Sequence, residues 1–480
     1  MKQKSWVFVS LFLYGCQLNP PYTPPMIDVP VQWHSRMSED STSCEDPSYF
    51  LWWQSLEDPL LESLIVRAKQ NNLDLSIAGI RILETRQERM GIKSQSLPHI
   101  DGSITGGHLY CSKEGLVDGV LKTLFPDCHH HKVKRNVNFF EIGFDADWEI
   151  DLFGANKHAA HAVDAKIEMA EEALYDIWIT LSAEIARNYI ELRSFQQQLT
   201  IIEENIEIQK ESIYLLQQLE IIGDVSAFDL LAPQEQLQMA AAQKTVVYNQ
   251  IQRVIHRLSI LVGSFPDSLF CELSLVQSLP SLPQEKPIGL PSELLRRRPD
   301  IRKAERNVAA ASETLSSSIA ALFPRLSLYG FIGNISTQLH SLPNSASTTW
   351  FGAPQLLFPI FNSRLLTQDV KWNKLETRIA LFEYQKTVLL ALEEVENGIS
   401  TFTQEEKRNQ HLLELRNIHE ESSLLTFDLY QRGIVGYLEV LNKRQALLNA
   451  ENTLLQGQEK LILSYISLYK ALGGGWCTDQ

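Results

Sequence analysis

The sequence predicts a mainly α chain whose four β-strands join those of other copies in a membrane β-barrel, with helices long enough to wall a cylinder. Three observations predict this class. From Asn138 to Asp151 the chain alternates. Phe140, Ile142, Phe144, Ala146, Trp148 and Ile150 fall on one face, and Glu141, Asp145, Asp147, Glu149 and Asp151 fall on the other. A period of two with one apolar and one acidic face suits a strand between lipid and a wet lumen. After Leu152-Phe153-Gly154 the period changes. Leu174, Trp178, Leu181, Ile185, Asn188, Leu192, Phe195, Leu199, Ile202, Ile206, Gln209, Ile213 and Leu216 then follow at spacings of three and four, a sustained heptad seam. Third, the whole pattern occurs twice.

In chain order, Lys2 and Lys4 precede an apolar run from Trp6 to Tyr14, the form of a secretory signal over residues 1–15. Leu13-Tyr14-Gly15-Cys16 is similar to a bacterial lipobox, which makes Cys16 the expected lipidated N-terminus of the mature chain. A proline-rich tether covers 16–56. The first repeat spans 57–265. A helical pattern runs from near Asp58 to Leu97-Pro98, followed by strands at about 98–110 and 137–151, the long helix, a break at Gly223-Asp224, and a second helix capped by Ser226. A linker at 266–288 carries Pro266, Pro280, Pro283 and Pro287. The second repeat spans 289–476, with strands near 324–333 and 348–360, and a short tail closes the chain at 477–480.

The repeat is legible residue by residue. Leu97-Pro98-His99-Ile100 matches Phe323-Pro324-Arg325-Leu326, and Asn72-Leu73-Asp74-Leu75 matches Arg298-Pro299-Asp300-Ile301 at the same displacement. Leu152-Phe153-Gly154 matches Ile360-Phe361-Asn362, and the turn from Gly223 to Leu231 matches Gly433 to Leu441.

Geometry narrows the architecture. A helix of about 65 residues is roughly 100 Å long at 1.5 Å per residue. A second seam at Ile201, Ile208, Leu215 and Ile222 gives that helix two neighbours, as in a cylinder wall. About four strands cannot close a membrane barrel, whose smallest form has about eight. Open strand edges cannot face lipid, so several copies must pool their strands.

Composition excludes other classes. The formal net charge of −15 argues against a nucleic-acid partner. No run of about 18 apolar residues marks a membrane-spanning helix. No nucleophile–base pair, phosphate loop or metal constellation points to an enzyme or a cofactor. The loop histidines His129, His130 and His131 beside Cys128 are read as solvated. An exported chain meets oxidising conditions, and Cys111 with Cys128, flanking one loop, form the best candidate disulfide.

These motifs together resemble the TolC-like outer-membrane efflux proteins, in the lipoprotein branch called NodT-type. They are Cys16-Gln17-Leu18-Asn19-Pro20-Pro21-Tyr22, Trp148-Glu149-Ile150-Asp151-Leu152-Phe153-Gly154, Arg297-Arg298-Pro299-Asp300-Ile301-Arg302, Phe323-Pro324-Arg325-Leu326, Tyr437-Leu438-Glu439-Val440-Leu441, and the run from Leu468 to Trp476. The resemblance implies a homotrimer with a shared twelve-stranded outer-membrane barrel, continuous with a long α-helical periplasmic barrel. It also implies a periplasmic adaptor and an inner-membrane pump of the RND type as partners. The implied activity is passive exit of drugs or other small molecules. The same duct could serve type I protein secretion, and a soluble coiled-coil scaffold is the alternative of another class. By the same resemblance Leu438, Glu439 and Asn442 line a periplasmic gate. Gly223, Asp224, Val225 and Ser226, with Gly433, Ile434, Val435 and Gly436, form the tips that the adaptor contacts. The Ser363-Arg364 joint departs from the family's usual Gly-Arg.

Overall fold

The computed structural model describes residues 22–25, 30, 33–34, 51–110, 136–223, 225–283, 297–361 and 363–475. Its main elements are α1 (Pro59–Asn71), α2 (Leu73–Gln95), β1 (His99–Tyr110), β2 (Asn136–Ile150), α3 (Ala155–Ile221), α4 (Leu231–Leu261), α5 (Phe270–Leu273), α6 (Pro299–Ala320), β3 (Arg325–Ser336), β4 (Thr348–Leu357), α7 (Ser363–Gln431) and α8 (Tyr437–Ala471). The two long helices, α3 and α7, have 67 and 69 residues. Two compact units result. One holds the described residues of Met1–Pro24, Glu84–Ile167 and Arg306–Leu381; the other holds those of Pro25–Leu83, Glu168–Glu305 and Phe382–Gln480. Each takes segments from both halves of the chain.

The first unit centres on one antiparallel sheet in the order β1-β2-β3-β4. The repeat is visible in its register. β1 and β3 are each 12 residues long, and the displacement that carries His99 to Arg325 also carries Tyr110 to Ser336. Phe153, just after β2, and Phe323, just before β3, stack with centroids 4.9 Å apart. Among the described residues β1 and β4 are edge strands, whose outer ladder groups have no partner strand within this sheet.

The second unit is helical and holds the main core. Trp52, Leu61, Leu64 and Ile65 are buried with Ile185, Tyr189, Ile255, Leu258, Tyr465 and Tyr469. Trp52 stacks on Tyr469, and Trp178 Nε1 donates to the Gly475 carbonyl at 2.7 Å. The two seams expected on α3 find their two neighbours. Ile202 shares the main core with Val247 and Ile251 of α4, while Ile208 packs with Leu441 and Leu448 of α8. Ile222, expected in the second seam, lies beyond α3 and is exposed.

The linker is tied down by one charged side chain. Arg193 is fully buried on α3. Its guanidinium donates to the Leu275 carbonyl (2.7 Å), Gln277 Oε1 (2.9 Å) and Gln196 Oε1 (2.7 Å). Gln196 Nε2 donates to the Leu273 carbonyl at 2.7 Å. A planar five-donor group thus holds the chain after α5 against the long helix.

The expected first helix is two helices. Asn72 interrupts it with an extended backbone, φ −66° and ψ 132°. Its Oδ1 accepts from Asp74 N (2.8 Å) and Leu75 N (3.1 Å), capping α2, and its Nδ2 donates to the Leu261 carbonyl at the end of α4 (2.8 Å). One buried amide therefore serves a helix start and a helix end. Among the described residues no helix is long and apolar enough to cross a membrane.

Candidate functional site

The sheet separates its chemistry by face. Directly paired residues share a face in an antiparallel sheet. Gly102, Phe144, Ile332 and Trp350 lie in one row of one face, as do Ile100, Ala146, Gly330 and Gly352. Phe144, Ile332 and Trp350 are exposed large apolar residues, fitted to lipid. The opposite face carries Asp101, Asp145, Phe331 and Phe351 in one row, and His99, Asp147, Tyr329 and Ala353 in the next. Glu141 lies opposite Thr105, and Glu149 opposite Ser327, on that same face. Asp145 Oδ2 accepts from Ser103 Oγ across the strand pair at 2.6 Å.

Two features of this face were not read from the sequence. Phe331 lies over Gly143 and Gly333, where an added Cβ would come within 2.7–2.8 Å of its ring, so the two paired glycines make room for one aromatic. Asp151 lies outside the acidic row. β2 ends at Ile150, and Asp151 Oδ2 accepts from Lys157 N (2.8 Å) at the start of α3. It is placed as a helix-capping group, because the backbone leaves the strand before its side chain can take a lumen position. Gly154, at φ +84°, supplies the left-handed turn between strand and helix.

The turns expected to form the tips end α3 and α7. Gly223 and Gly433 adopt φ of +80° and +74°. After α7, Gly433 N donates to the Tyr430 carbonyl (2.8 Å) and Ile434 N to the Leu429 carbonyl (3.0 Å), a Schellman closure. Gly436 plays a different part: it is the extended N-cap of α8, with φ −77°. After Gly223, Ser226 Oγ accepts from Phe228 N while Asp229 accepts from Ser226 N, a capping box that starts a short 3₁₀ turn leading into α4. Val225, Ile434 and Val435 lie in these turns, with Ile434 exposed. Asp224 falls outside the described residues, as do Cys16, Cys111, Cys128 and His129–His131.

Leu438, Glu439 and Asn442 sit in the first two turns of α8. Val440 and Leu441, which follow Glu439 in the same turn, are buried. Leu441 packs against Ile208 of α3. Glu439 and Asn442 are exposed and Leu438 is half-buried. Tyr437 anchors the turn through its hydroxyl, which donates to Glu211 Oε1 (2.8 Å). That hydrogen bond, with burial second, raises the Tyr437 pKa above its ordinary value. The sequence reading missed Lys443, whose Nζ lies 4.0 Å from Glu439 Oε1. The i,i+4 spacing of Glu and Lys was the available signal.

A further group emerges at the start of α3. His158 and His161 lie one turn apart and meet Glu313 of α6. His158 Nδ1 donates to Glu313 Oε2 at 2.6 Å, and His161 Nδ1 is 3.9 Å from the same oxygen. Cys271 is a free, exposed thiol.

Comparison with known proteins agrees with this geometry. The chain is 29% identical over 486 residues to the solvent efflux pump outer membrane protein SrpC of Pseudomonas putida, covering 100% of both chains. It is 27% identical over 472 residues to the cation efflux system protein CusC of Escherichia coli O6:H1 (strain CFT073), covering 98% of this chain and 97% of that one. Among solved structures, the outer-membrane channel OprN superposes with a TM-score of 0.85 at 29% identity, covering 96% of this chain and 100% of that one. The Campylobacter jejuni CmeC outer membrane channel, at 21% identity and a TM-score of 0.83, shares the fold. The family model for the outer membrane efflux protein matches residues 64–264 and 290–474, and the chain belongs to that family.

Proposed function

We propose that this protein is the outer-membrane exit duct of a tripartite efflux system, conducting small molecules passively out of the cell. One observation carries the reading: a four-stranded sheet with an apolar face and a polar, acid-bearing face, its two edge strands awaiting partners, in a chain of the outer membrane efflux protein family. In this reading three copies close a twelve-stranded barrel, lipid meets the row of Phe144, Ile332 and Trp350, and Asp145, Asp147 and Glu149 face the lumen. Cys16 anchors the chain to outer-membrane lipid. The turns around Gly223 and Gly433 receive a periplasmic adaptor, and an RND-type inner-membrane pump supplies the energy.

The gate belongs to this proposal. Leu438, Glu439 and Asn442 of three copies narrow the periplasmic end. Three carboxylates around an axis attract cations and slow anions, while the neighbouring Lys443 and the neutral Asn442 moderate that charge. Relatives named for solvent and cation efflux favour small-molecule export over protein secretion.

The test is reconstitution. Purified protein in planar bilayers should conduct as an SDS-resistant trimer, and Glu439→Ala combined with Asn442→Ala should raise single-channel conductance. A soluble monomer without conductance overturns the duct. Unchanged conductance in the double variant removes only the gate assignment.

A further inference from the structure

We propose that His158, His161 and Glu313 form a binding site for a divalent transition-metal ion of the zinc type, which staples the first turns of α3 to α6. The three side chains each offer one ligand atom, and these atoms lie within 4.8 Å of one another. Two imidazole nitrogens and one carboxylate oxygen make a donor set that zinc takes at about 2.0–2.2 Å. Tetrahedral bonds of that length put neighbouring ligand atoms roughly 3.4 Å apart. The observed separations fall on either side of this value: 2.6 Å from His158 Nδ1 to Glu313 Oε2, and 3.9 Å from His161 Nδ1 to the same oxygen. Side-chain rotation that opens the shorter separation and closes the longer ones would bring all three around one ion.

Sequence spacing explains why the two histidines converge. Positions i and i+3 of a helix share a face. Glu313 reaches them from the other repeat, on a helix already fixed to α3 by the bond from Ser317 Oγ to the Ala155 carbonyl (2.9 Å). The site is pre-positioned before any ion arrives. Burial grades across it. The side chains of His158 and Glu313 are 6% and 14% exposed, and that of His161 is 47% exposed. An ion can enter past His161 and keep water in its fourth position.

On binding, each Nδ1 gives its lone pair to the ion, so the proton that His158 Nδ1 shares with Glu313 moves to Nε2 of the ring. Any second proton on either imidazole, or a proton on Glu313, must go to solvent, and uptake therefore weakens in acid. The ion replaces one hydrogen bond by a three-point link between the two repeats, beside the strand-to-helix joint at Gly154. The assignment does not depend on what the duct carries.

The experiment uses the full-length trimer in detergent, free of any affinity tag. His129, His130 and His131 are changed to Ala, so that the titration does not read the loop histidines. Zinc is titrated calorimetrically, and cobalt replaces it to report geometry through its visible absorption. The expected result is one ion per chain, a cobalt spectrum of low coordination number, and a rise in thermal midpoint with zinc. His161→Ala, at the half-exposed position, and Glu313→Gln, which keeps shape, should each weaken binding at least about tenfold while the trimer persists in gel filtration. No saturable binding at micromolar zinc overturns the site. So does unchanged affinity in either variant.

Discussion

The two repeats solve the same corner with different side chains. In the first, Asn72 Nδ2 donates to the carbonyl of Leu261, the last residue of α4. In the second, the matching Arg298 donates through its guanidinium to the carbonyl of Ala471, the last residue of α8, at 2.7 Å. Each corner also closes on a left-handed glycine. Gly263 N donates to the Ile260 carbonyl and Ser264 N to that of Ser259. Gly473 N donates to the Lys470 carbonyl and Gly474 N to that of Tyr469. The backbone need is identical, namely to satisfy the last carbonyls of a buried helix end. The chemistry that meets it diverged. Asn72 is neutral and acts alone, whereas Arg298 also pairs with Asp300 (2.6 Å) and Glu394 (2.8 Å). Burial works against that charge, but the two carboxylates outweigh it and raise the arginine's pKa. The sheet diverged likewise. On its polar face the first repeat supplies Asp101, Glu141, Asp145, Asp147 and Glu149, while the second supplies Tyr329, Phe331 and Phe351. Duplication fixed the backbone and left the polar face free to change.

The largest effect should separate Arg298 from Asn72. Arg298→Ala removes a buried guanidinium and its packing, strands the Ala471 carbonyl and unpairs two partly exposed carboxylates, a loss of about 3–4 kcal/mol. Asn72→Ala leaves unpaired backbone groups and should cost about 1–3 kcal/mol. Thermal melts of the helical circular-dichroism signal, on the purified protein, rank the two. Equal losses would mean that only the carbonyl bond matters and that the charge network is idle.

The corner glycines should come next. A Cβ on Gly263 would stand 2.2 Å from the Asn71 carbonyl oxygen, where backbone must move, and the left-handed φ adds strain. Gly263→Ala should cost about 3 kcal/mol from strain and overpacking together. At Gly473 the nearest atom is Cγ of the anchored Arg298 at 3.1 Å, a tight contact but well short of the clash at Gly263, so Gly473→Ala should cost less, roughly 1–2 kcal/mol. Gly223 and Gly433 have open space around them, and only the φ strain of about 1 kcal/mol applies there. A tip variant as destabilised as Gly263→Ala, by the same melts, would break this ordering.

What was legible in the sequence follows from range. The faces of β2 were legible because alternation is a local property, the length of α3 because a heptad seam runs uninterrupted, and a second long helix, α7, because the pattern repeats. The break at Asn72 was missed because the apolar pattern continues across it. What breaks the helix is a bond to Leu261, far along the chain. Arg193 holding Leu275, and Glu313 meeting His158, are hidden for the same reason. Asp151 was assigned to the acidic face because alternation has no built-in end. The end is set by Gly154 and by the need to cap α3.

The smallest expected effect tests the divergence at one titrating side chain. The displacement that carries Gly263 to Gly473 carries exposed Asn249 of α4 to Glu459 of α8. Burial raises the pKa of Glu459, and Glu191 adds to this, while the bond from Ser194 Oγ (2.6 Å) and Lys460 oppose it. The folded state therefore holds this proton more tightly than the unfolded chain does. The stabilising contribution is complete below the ordinary carboxylate pKa and is lost as pH rises through the raised folded value. At neutral pH the charged side chain is thus a cost that neutral Asn249 does not carry. Glu459→Gln keeps an oxygen for Ser194 and removes the charge, so it should melt higher than the parent at pH 7. Its advantage should shrink toward pH 4, where the parent is protonated. A gap that widened on acidification would mean that the ionised form is the one this site favours, with the Ser194 bond outweighing burial.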